Sequence, residues 1–435
     1  MVTSFAMFFL LLCGYYILRS IRDAAGVVIG KEGLQQIFIA VFFVMLAIVP
    51  VFGWLVSKLE RRRIVPLIYG FFAFNILGFW FGLGTTDTDQ TRPVLKGLFG
   101  ADDASGWYGM VAAHDPSWAS LFFVWISIYN LFTISLFWSL MAELYRTGQA
   151  KRLFGFVAAG GTLGGMTGSS ITTALAGPLG ANNLLLISTA CLMCAVALAL
   201  MLRKWADPAG ETDAGAPRQH ASVLDGAIKV LTTPFLFRIA LYIFIANVIA
   251  TYFYLEQSRI VGEAMPDRAQ RLAFFASRDL AVSLLTVSLE LFVTGRLMQR
   301  FGLMPSLTVL PVSAGLALVA LLLAPGLQMI AAIMVVERSL AYAISNPAIK
   351  VLWTSVSAEE KYKAQNFVDT VVYRGGDASS GTVFGLLGKA ANSVGGGAGL
   401  VALAAIPLAC AWAWTGWSLA KEQDVLADNS VSGDQ

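Results

Sequence analysis

The chain has 435 residues, is 57% hydrophobic and 13% charged, and carries a formal net charge of +3. Soluble domains hold about 25% charged residues, so a soluble fold is excluded, and so small an excess of basic residues argues against a nucleic-acid partner. Apolar stretches near the ~20 residues that cross a hydrocarbon core recur along almost the whole length. The chain therefore reads as an all-α integral membrane protein with twelve transmembrane helices.

The spans are predicted at 3–23, 35–57, 64–83, 118–142, 153–176, 183–202, 234–255, 272–295, 303–323, 328–349, 364–388 and 399–420. Loops after even-numbered spans are the more basic, as in Lys58 with Arg61, Arg62 and Arg63, or Arg146 with Lys151 and Arg152. By the positive-inside rule those loops and both termini are cytoplasmic, and a bacterial inner membrane is the expected location. No cleavable signal is read before the first span, which runs on into Arg19 without a small-residue cleavage pattern.

The first span closes on Arg19, Arg22 and Asp23, which share one helical face at spacings of three and four residues. An ionisable side chain within a span costs roughly 2.5–3.5 kcal/mol on insertion scales and marks a functional site by default. These three are read as ligand or gating residues, or as a structural ion pair; in a straight span they would lie near the outer interface, where snorkelling makes them cheap. The 84–117 loop holds Asp87, Asp89, Asp102, Asp103 and Asp115, whose spacing fits no EF-hand and reads as solvated loop. Span 5 carries Gly160, Gly164 and Gly168 with Gly161 and Gly165 beside them, a pattern that lets helix backbones approach closely. The C-x-x-C of Cys191 and Cys194 lies mid-span without partner ligands, and His114 and His220 fall in loops, so no metal or redox cofactor is expected.

Residues 203–233 are polar and rich in Pro, Gly, Asp and Ala, a cytoplasmic linker between six-helix bundles at 1–202 and 234–420, followed by a cytoplasmic tail at 421–435. The bundles read as repeats. Gly53 and Leu55 match Gly295 and Leu297 at an offset of 242, whereas Phe154 and Gly168 match Phe367 and Gly381 at 213. The longer 84–117 loop accounts for the difference, because its counterpart at 324–327 is short. Two related halves with a site between them suit a transporter.

The second half has its own intramembrane charges. Glu256 and Arg259 end span 7 and read as interfacial, while Arg278, Asp279 and Glu290 sit in span 8. Glu337 and Arg338 are adjacent in span 10 and point in different directions, so they do not simply bridge each other. Arg374 and Asp377 are three residues apart in span 11, where Gly375, Gly376, Gly381 and Gly385 echo the glycines of span 5. Trp80, Trp107, Trp118, Trp412 and Trp417 are expected in an interfacial belt.

The turn from Gly53 to Arg63 resembles the helix 2–3 loop of the major facilitator superfamily, with Ser57 at the family's Asp, and the turn from Gly295 to Gly302 is a second copy with Gln299 there. Three longer blocks resemble the ATP/ADP translocases of plastids and intracellular bacteria. They are Ile17 to Asp23, Phe137-Trp138 with Ala150 to Gly155, and Glu359 to Ala364 with Val368-Asp369 and Gly376. The resemblance implies a major-facilitator-type fold and nucleotide-like transport by antiport. The family uses intramembrane charges in helices 1, 4, 7 and 11. Here Arg22 keeps the first, Ser127 replaces the second, an apolar residue near Ala250 the third, and the fourth falls at or near Asp377.

The expected function is secondary active transport by alternating access, as an antiporter or proton-coupled, and not an enzymatic one. Arg19, Arg22, Asp23, Arg338, Arg374 and Asp377 are the substrate-binding candidates. Guanidinium groups at four of these positions favour a small anionic solute, phosphorylated or carboxylated. Glu337, Asp369, Arg278, Asp279 and Glu290 are the coupling or gating candidates. A membrane receptor without transport, and a flippase for a lipid-linked substrate, remain open on the same scaffold. No cofactor, metal or nucleic acid is expected, lipids surround the chain, and the protein is expected to be a monomer.

Overall fold

The computed structural model describes residues 1–58, 61–84, 116–145, 147–205, 223–356, 364–365, 367–393 and 397–432, and every regular element among them is helical. The acidic loop from Asp87 to Asp115, His114, His220, Trp107 and the block from Glu359 to Lys363 lie outside the described residues. Two helical stretches are too long for one crossing. Val2–Lys58 and Thr147–Trp205 hold 57 and 59 residues, about 85–90 Å at 1.5 Å per residue, against a hydrocarbon core of about 30 Å. Each breaks at a single glycine in left-handed backbone, Gly30 (φ 77°) and Gly180 (φ 69°), a conformation that a Cβ disfavours.

The chain thus folds as α1 (2–29), α2 (31–58), α3 (Arg61–Gly84), α4 (Pro116–Leu144), α5 (147–179) and α6 (181–205). A short helix, Val223–Thr232, precedes α7 (Pro234–Ala264), α8 (Arg268–Phe301), α9 (Leu303–Leu323), α10 (Leu327–Leu352), α11 (368–393) and α12 (Gly397–Ser432). Among the described residues these are the twelve helices expected. Several outrun the predicted spans: α1 continues six residues past 23, α7 reaches Ala264 rather than 255, and α12 absorbs most of the predicted tail. An apolar window measures membrane thickness, whereas hydrogen bonding carries a helix on through any polar residue that tolerates it.

The chain divides into two compact units: Met1–Gly33 with Ala47–Ala214 and Met265–Leu280, and Leu34–Leu46 with Gly215–Ala264 and Ala281–Gln435. In the first, α5 lies against α1 backbone to backbone. A Cβ at Gly160, Gly164 or Gly168 would stand 2.6, 2.1 and 2.3 Å from the carbonyl oxygens of Phe5, Phe9 and Cys13. Both rows advance four residues at a time, so the two ridges run in register. Gly161 and Gly165 receive the rings of Phe8 and Tyr16 in the same way. Aromatic rings fill the α3–α4 contact, where Phe72 and Phe79 pack on Trp125 and the Tyr69 hydroxyl donates to the Thr133 carbonyl at 2.9 Å.

The second unit is organised round α7, which is buried along most of its length. The Tyr242 hydroxyl donates to the Leu307 carbonyl at 2.8 Å, and Trp412 stacks at an angle on the Tyr242 ring, 5.6 Å between centroids. Trp412 is 2% exposed, so it fills the core and is no part of an interfacial belt. The small and polar run of α11 is explained by contact with α7. A Cβ at Gly376 would lie 3.0 Å from the Phe244 carbonyl oxygen, and Ser380 donates to the Val248 carbonyl at 2.7 Å.

The α5 glycines have no space for a methyl group, so Gly164→Ala and Gly168→Ala are each expected to destabilise the protein by about 1–3 kcal/mol through overpacking. At Gly78 of α3 an added methyl group would have nothing within 4 Å, and Gly78→Ala is expected to be neutral or to stabilise by up to ~1 kcal/mol through helix propensity. Thermal unfolding in detergent distinguishes the two classes.

Candidate functional site

The strongest concentration of charge lies in the first unit, where α1 meets the first half of α8. Arg19 and Asp23 are 8% and 1% exposed, and Arg278 and Asp279 are 3% and 1% exposed. Because α1 continues to residue 29, Arg19, Arg22 and Asp23 lie within the helix rather than at its end, and Arg19 and Asp23 are enclosed by protein. The three residues take part in buried ion pairs, and two residues from α8 join the same site.

The arrangement is nearly symmetric. Each helix carries an Arg-Asp neighbour pair in which the arginine folds back onto its own aspartate. Arg22 donates to Asp23 Oδ1 from Nη2 at 2.7 Å and Nε at 3.1 Å, and Arg278 donates to Asp279 Oδ1 from Nη2 at 2.6 Å and Nε at 3.0 Å. The pairs are cross-linked by Arg278 Nη2 to Asp23 Oδ2 at 2.6 Å, and Arg19 Nε lies 3.4 Å from Asp279 Oδ2. Each guanidinium also lies near an aromatic ring: Arg19 on Tyr16 at 5.3 Å, Arg22 on Phe123 at 5.1 Å and Arg278 on Phe275 at 5.0 Å. Such cation–π contacts offset part of the lost hydration.

These five side chains comprise three arginines and two aspartates, one positive charge in excess. Burying a charge is costly unless it is paired and hydrogen-bonded, and here the aspartates are shared between arginines. Arg22 is the most accessible of the five, with 17% of its side chain exposed. Its ring partner Phe123 lies on α4, where Ser127, one turn on, donates back to the Phe123 carbonyl at 3.3 Å. The helix 4 position that carries an acid in the translocase pattern is thus a hydroxyl engaged with its own helix.

The second unit holds two smaller groupings. Asp377 of α11 accepts from Thr251 Oγ1 of α7 at 2.9 Å through Oδ1 and lies 3.5 Å from Arg374 Nη1 through Oδ2. Glu337 of α10 accepts from the Ser313 hydroxyl of α9 at 2.5 Å, and Glu337 forms no ion pair with any described residue. Arg338 is half-buried beside it, and Glu290 and Asp369 are exposed on α8 and α11. Glu290, Arg338 and Asp369 each sit in or beside a π-helical turn, at Glu290–Thr294, Ala341–Ser345 and Val368–Val372, distortions that often mark functional positions. Thr294 links two of these turns by donating to the Ala343 carbonyl at 2.9 Å.

Thr251, Ser313 and Phe123 are therefore site residues that the sequence did not single out. A hydroxyl or a phenyl ring in a membrane helix is ordinary, and only the fold brings Thr251 to a residue 126 positions away. The Arg-Asp doublet was legible: it occurs at 22–23 and again at 278–279, and its repetition in two spans was the available sign that they meet. Among the described residues no group of His, Cys, Asp and Glu could hold a metal ion.

Removing one aspartate leaves the arginines without balance. Asp23→Asn is expected to destabilise the protein by about 3–5 kcal/mol, the range for breaking one side of a buried ion pair, whereas Asp369→Asn, on an exposed side chain, stays within about 0.5 kcal/mol. Thermal unfolding of the purified variants reads both.

No protein-family model matches the sequence, and no curated protein matches it. Solved structures do. A variant of the nucleoside transporter NupG aligns over 96% of this chain and 99% of its own at 15% identity and a TM-score of 0.64. A bacterial homologue of the iron transporter ferroportin, in an inward-facing state, aligns over 95% and 98% at 17% identity and a TM-score of 0.62. An auto-inhibited peptide transporter of the POT family aligns over 98% and 97% at 14% identity and a TM-score of 0.59. At such identities the likeness concerns the fold: the chain has an all-α, major-facilitator-type membrane fold.

Proposed function

We propose that the protein is a secondary active transporter that works by alternating access on a small anionic solute, phosphorylated or carboxylated. The observation that carries this reading is the buried α1–α8 cluster, in which three guanidinium groups share two carboxylates. An entering anion can take over Arg22, the most accessible member, by displacing Asp23, because guanidinium binds carboxylate and phosphate through the same pair of parallel donors. The displaced Asp23 keeps Arg278 as a partner, so the exchange strands no carboxylate. The solved structures that share the fold carry nucleosides, iron or peptides by their names; this range supports transport and leaves the choice of solute to side chains. The resemblance to nucleotide translocases and the retained charge at Arg22 support a nucleotide-like solute and exchange rather than one-way flux. Both termini are placed in the cytoplasm, in a bacterial inner membrane, on the distribution of Lys and Arg.

Glu337 is the better placed of the acidic residues to carry a coupling proton. Its partner is the neutral Ser313 hydroxyl, whereas Asp377 has both oxygens engaged, one of them by a cation. The side chain can therefore exchange a proton without breaking an ion pair among the described residues.

Counterflow in proteoliposomes with labelled nucleotides, sugar phosphates and dicarboxylates tests the function. One of these anions is expected to exchange. Arg22→Ala is expected to abolish exchange, and Arg22→Lys to retain part of it with weaker binding. A saturating ligand at one hundred times its dissociation constant should also stabilise the protein by about 2.7 kcal/mol. Stabilisation without counterflow would make the protein a receptor, and indifference to every anion would remove the reading. Glu337→Gln is expected to abolish the response of uptake to an imposed pH gradient while leaving counterflow at equal pH intact. Uptake that ignores the gradient in the unaltered protein would exclude proton coupling.

A further inference from the structure

All four cysteines are free, and two of them meet. Cys13 of α1 is 2% exposed and Cys191 of α6 is half-buried, whereas Cys194 and Cys410 are exposed. The Cys13 and Cys191 thiols hydrogen-bond to each other. The C-x-x-C pattern offers Cys191 a different partner, Cys194. Helical geometry decides against that pair. Residues three apart on one helix hold their Cβ atoms about 5–6 Å apart, and a disulfide needs about 3.5–4.5 Å. The partner of Cys191 comes instead from another helix of the same unit.

The packing leaves the two thiols little freedom to part. Ser188 of α6 donates to the Gly14 carbonyl at 3.0 Å, and a Cβ on Gly14 would stand 3.4 Å from Cys191 Cβ. On its other side α1 meets α5, where a Cβ on Gly168 would lie 2.3 Å from the Cys13 carbonyl oxygen. Cys13 is thus held between two helices and meets Cys191. Both cysteines lie near the middle of helices long and apolar enough to cross a membrane. A charged, water-soluble oxidant such as glutathione disulfide does not reach that depth. A lipid-soluble one can, because Leu186 and Met193 of α6 are exposed beside Cys191.

We propose that Cys13 and Cys191 form an oxidisable pair whose electron acceptor is a membrane quinone. Each thiol gives up its hydrogen and the two sulfurs join as a disulfide. The quinone takes the two electrons and two protons and leaves as its quinol. Reactants and products are all uncharged, as an apolar interior requires. The bond ties α1 to α6 and adds a covalent constraint to the helix that carries Arg19, Arg22 and Asp23. Reduction restores both thiols, so the constraint follows the redox state of the membrane.

The full-length protein is reduced, placed in phosphatidylcholine nanodiscs and incubated with decylubiquinone in the absence of oxygen. Quinol is expected to form in equal amount to protein. After denaturation, two of the four cysteines are expected to resist alkylation, and the unreduced digest to contain a peptide linking Cys13 to Cys191. Cys191→Ser is expected to abolish quinol formation, and Cys194→Ser and Cys410→Ser to leave it unchanged. Cys13→Ser is expected to abolish it as well. Should that variant fail to fold in its packed position, Cys191→Ser, on a half-buried side chain, keeps the test decisive. The absence of quinol, undiminished quinol from Cys191→Ser, or a linked peptide that joins Cys191 to Cys194 overturns the proposal.

Discussion

The cross-linked pairing of Arg22-Asp23 with Arg278-Asp279 is the interaction on which the rest of the first unit depends. Charge inside a membrane protein is tolerated only where partners replace water, and these partners come from helices more than 250 positions apart in the chain. α1 must therefore hold its place to within hydrogen-bonding distance. The α5 glycines supply that constraint: backbone carbonyls of Phe5, Phe9 and Cys13 lie where side chains of α5 would otherwise stand. The glycine row fixes the helix, and the fixed helix presents Arg19, Arg22 and Asp23 to α8. Tight packing and a polar site are two consequences of one helix–helix contact.

The second unit carries its ion pairs dispersed rather than in one cluster. α7 occupies the central position there, and α11 approaches it through Gly376 and Ser380, as α5 approaches α1. The likeness is one of helix contacts and not of matched residues, since Gly381, the sequence counterpart of Gly168, faces Gln35 of α2. The polar groups are arranged differently: Asp377 accepts from Thr251 and lies beside Arg374, and Glu337 accepts from Ser313.

Fold class was legible in the sequence because it rests on quantities that need no tertiary information: apolar length, basic loops and glycine spacing. Helix ends were not: the chain stays apolar past Asp23 to Ile29, and past Glu256 helical hydrogen bonding outlasts the apolar run. The helices run on beyond the predicted ends of spans 1 and 7, and Asp23 and Glu256 are buried against partners. Trp412 was misread because amphipathic rings suit an interface, and the same ring suits a core in which Tyr242 lies beside it. The pairing of Arg278 with Asp23 could be guessed only from the repeated Arg-Asp doublet, because proximity in the fold leaves no trace in local composition.

The doublet also limits what the first unit can do. In an i,i+1 pair on a helix the side chains diverge by about 100°, so an arginine that folds back onto its own aspartate leaves that aspartate's second oxygen pointing elsewhere. In Asp23 that oxygen takes Arg278, and in Asp279 it lies near Arg19. Each aspartate is thus a junction between two arginines, and withdrawing one arginine to a solute still leaves the junction half satisfied. A simple one-to-one ion pair would offer no such intermediate, since releasing the cation would strand the carboxylate. The shared arrangement would let a buried guanidinium change partners in steps, as the proposed binding of an anion requires where water is scarce.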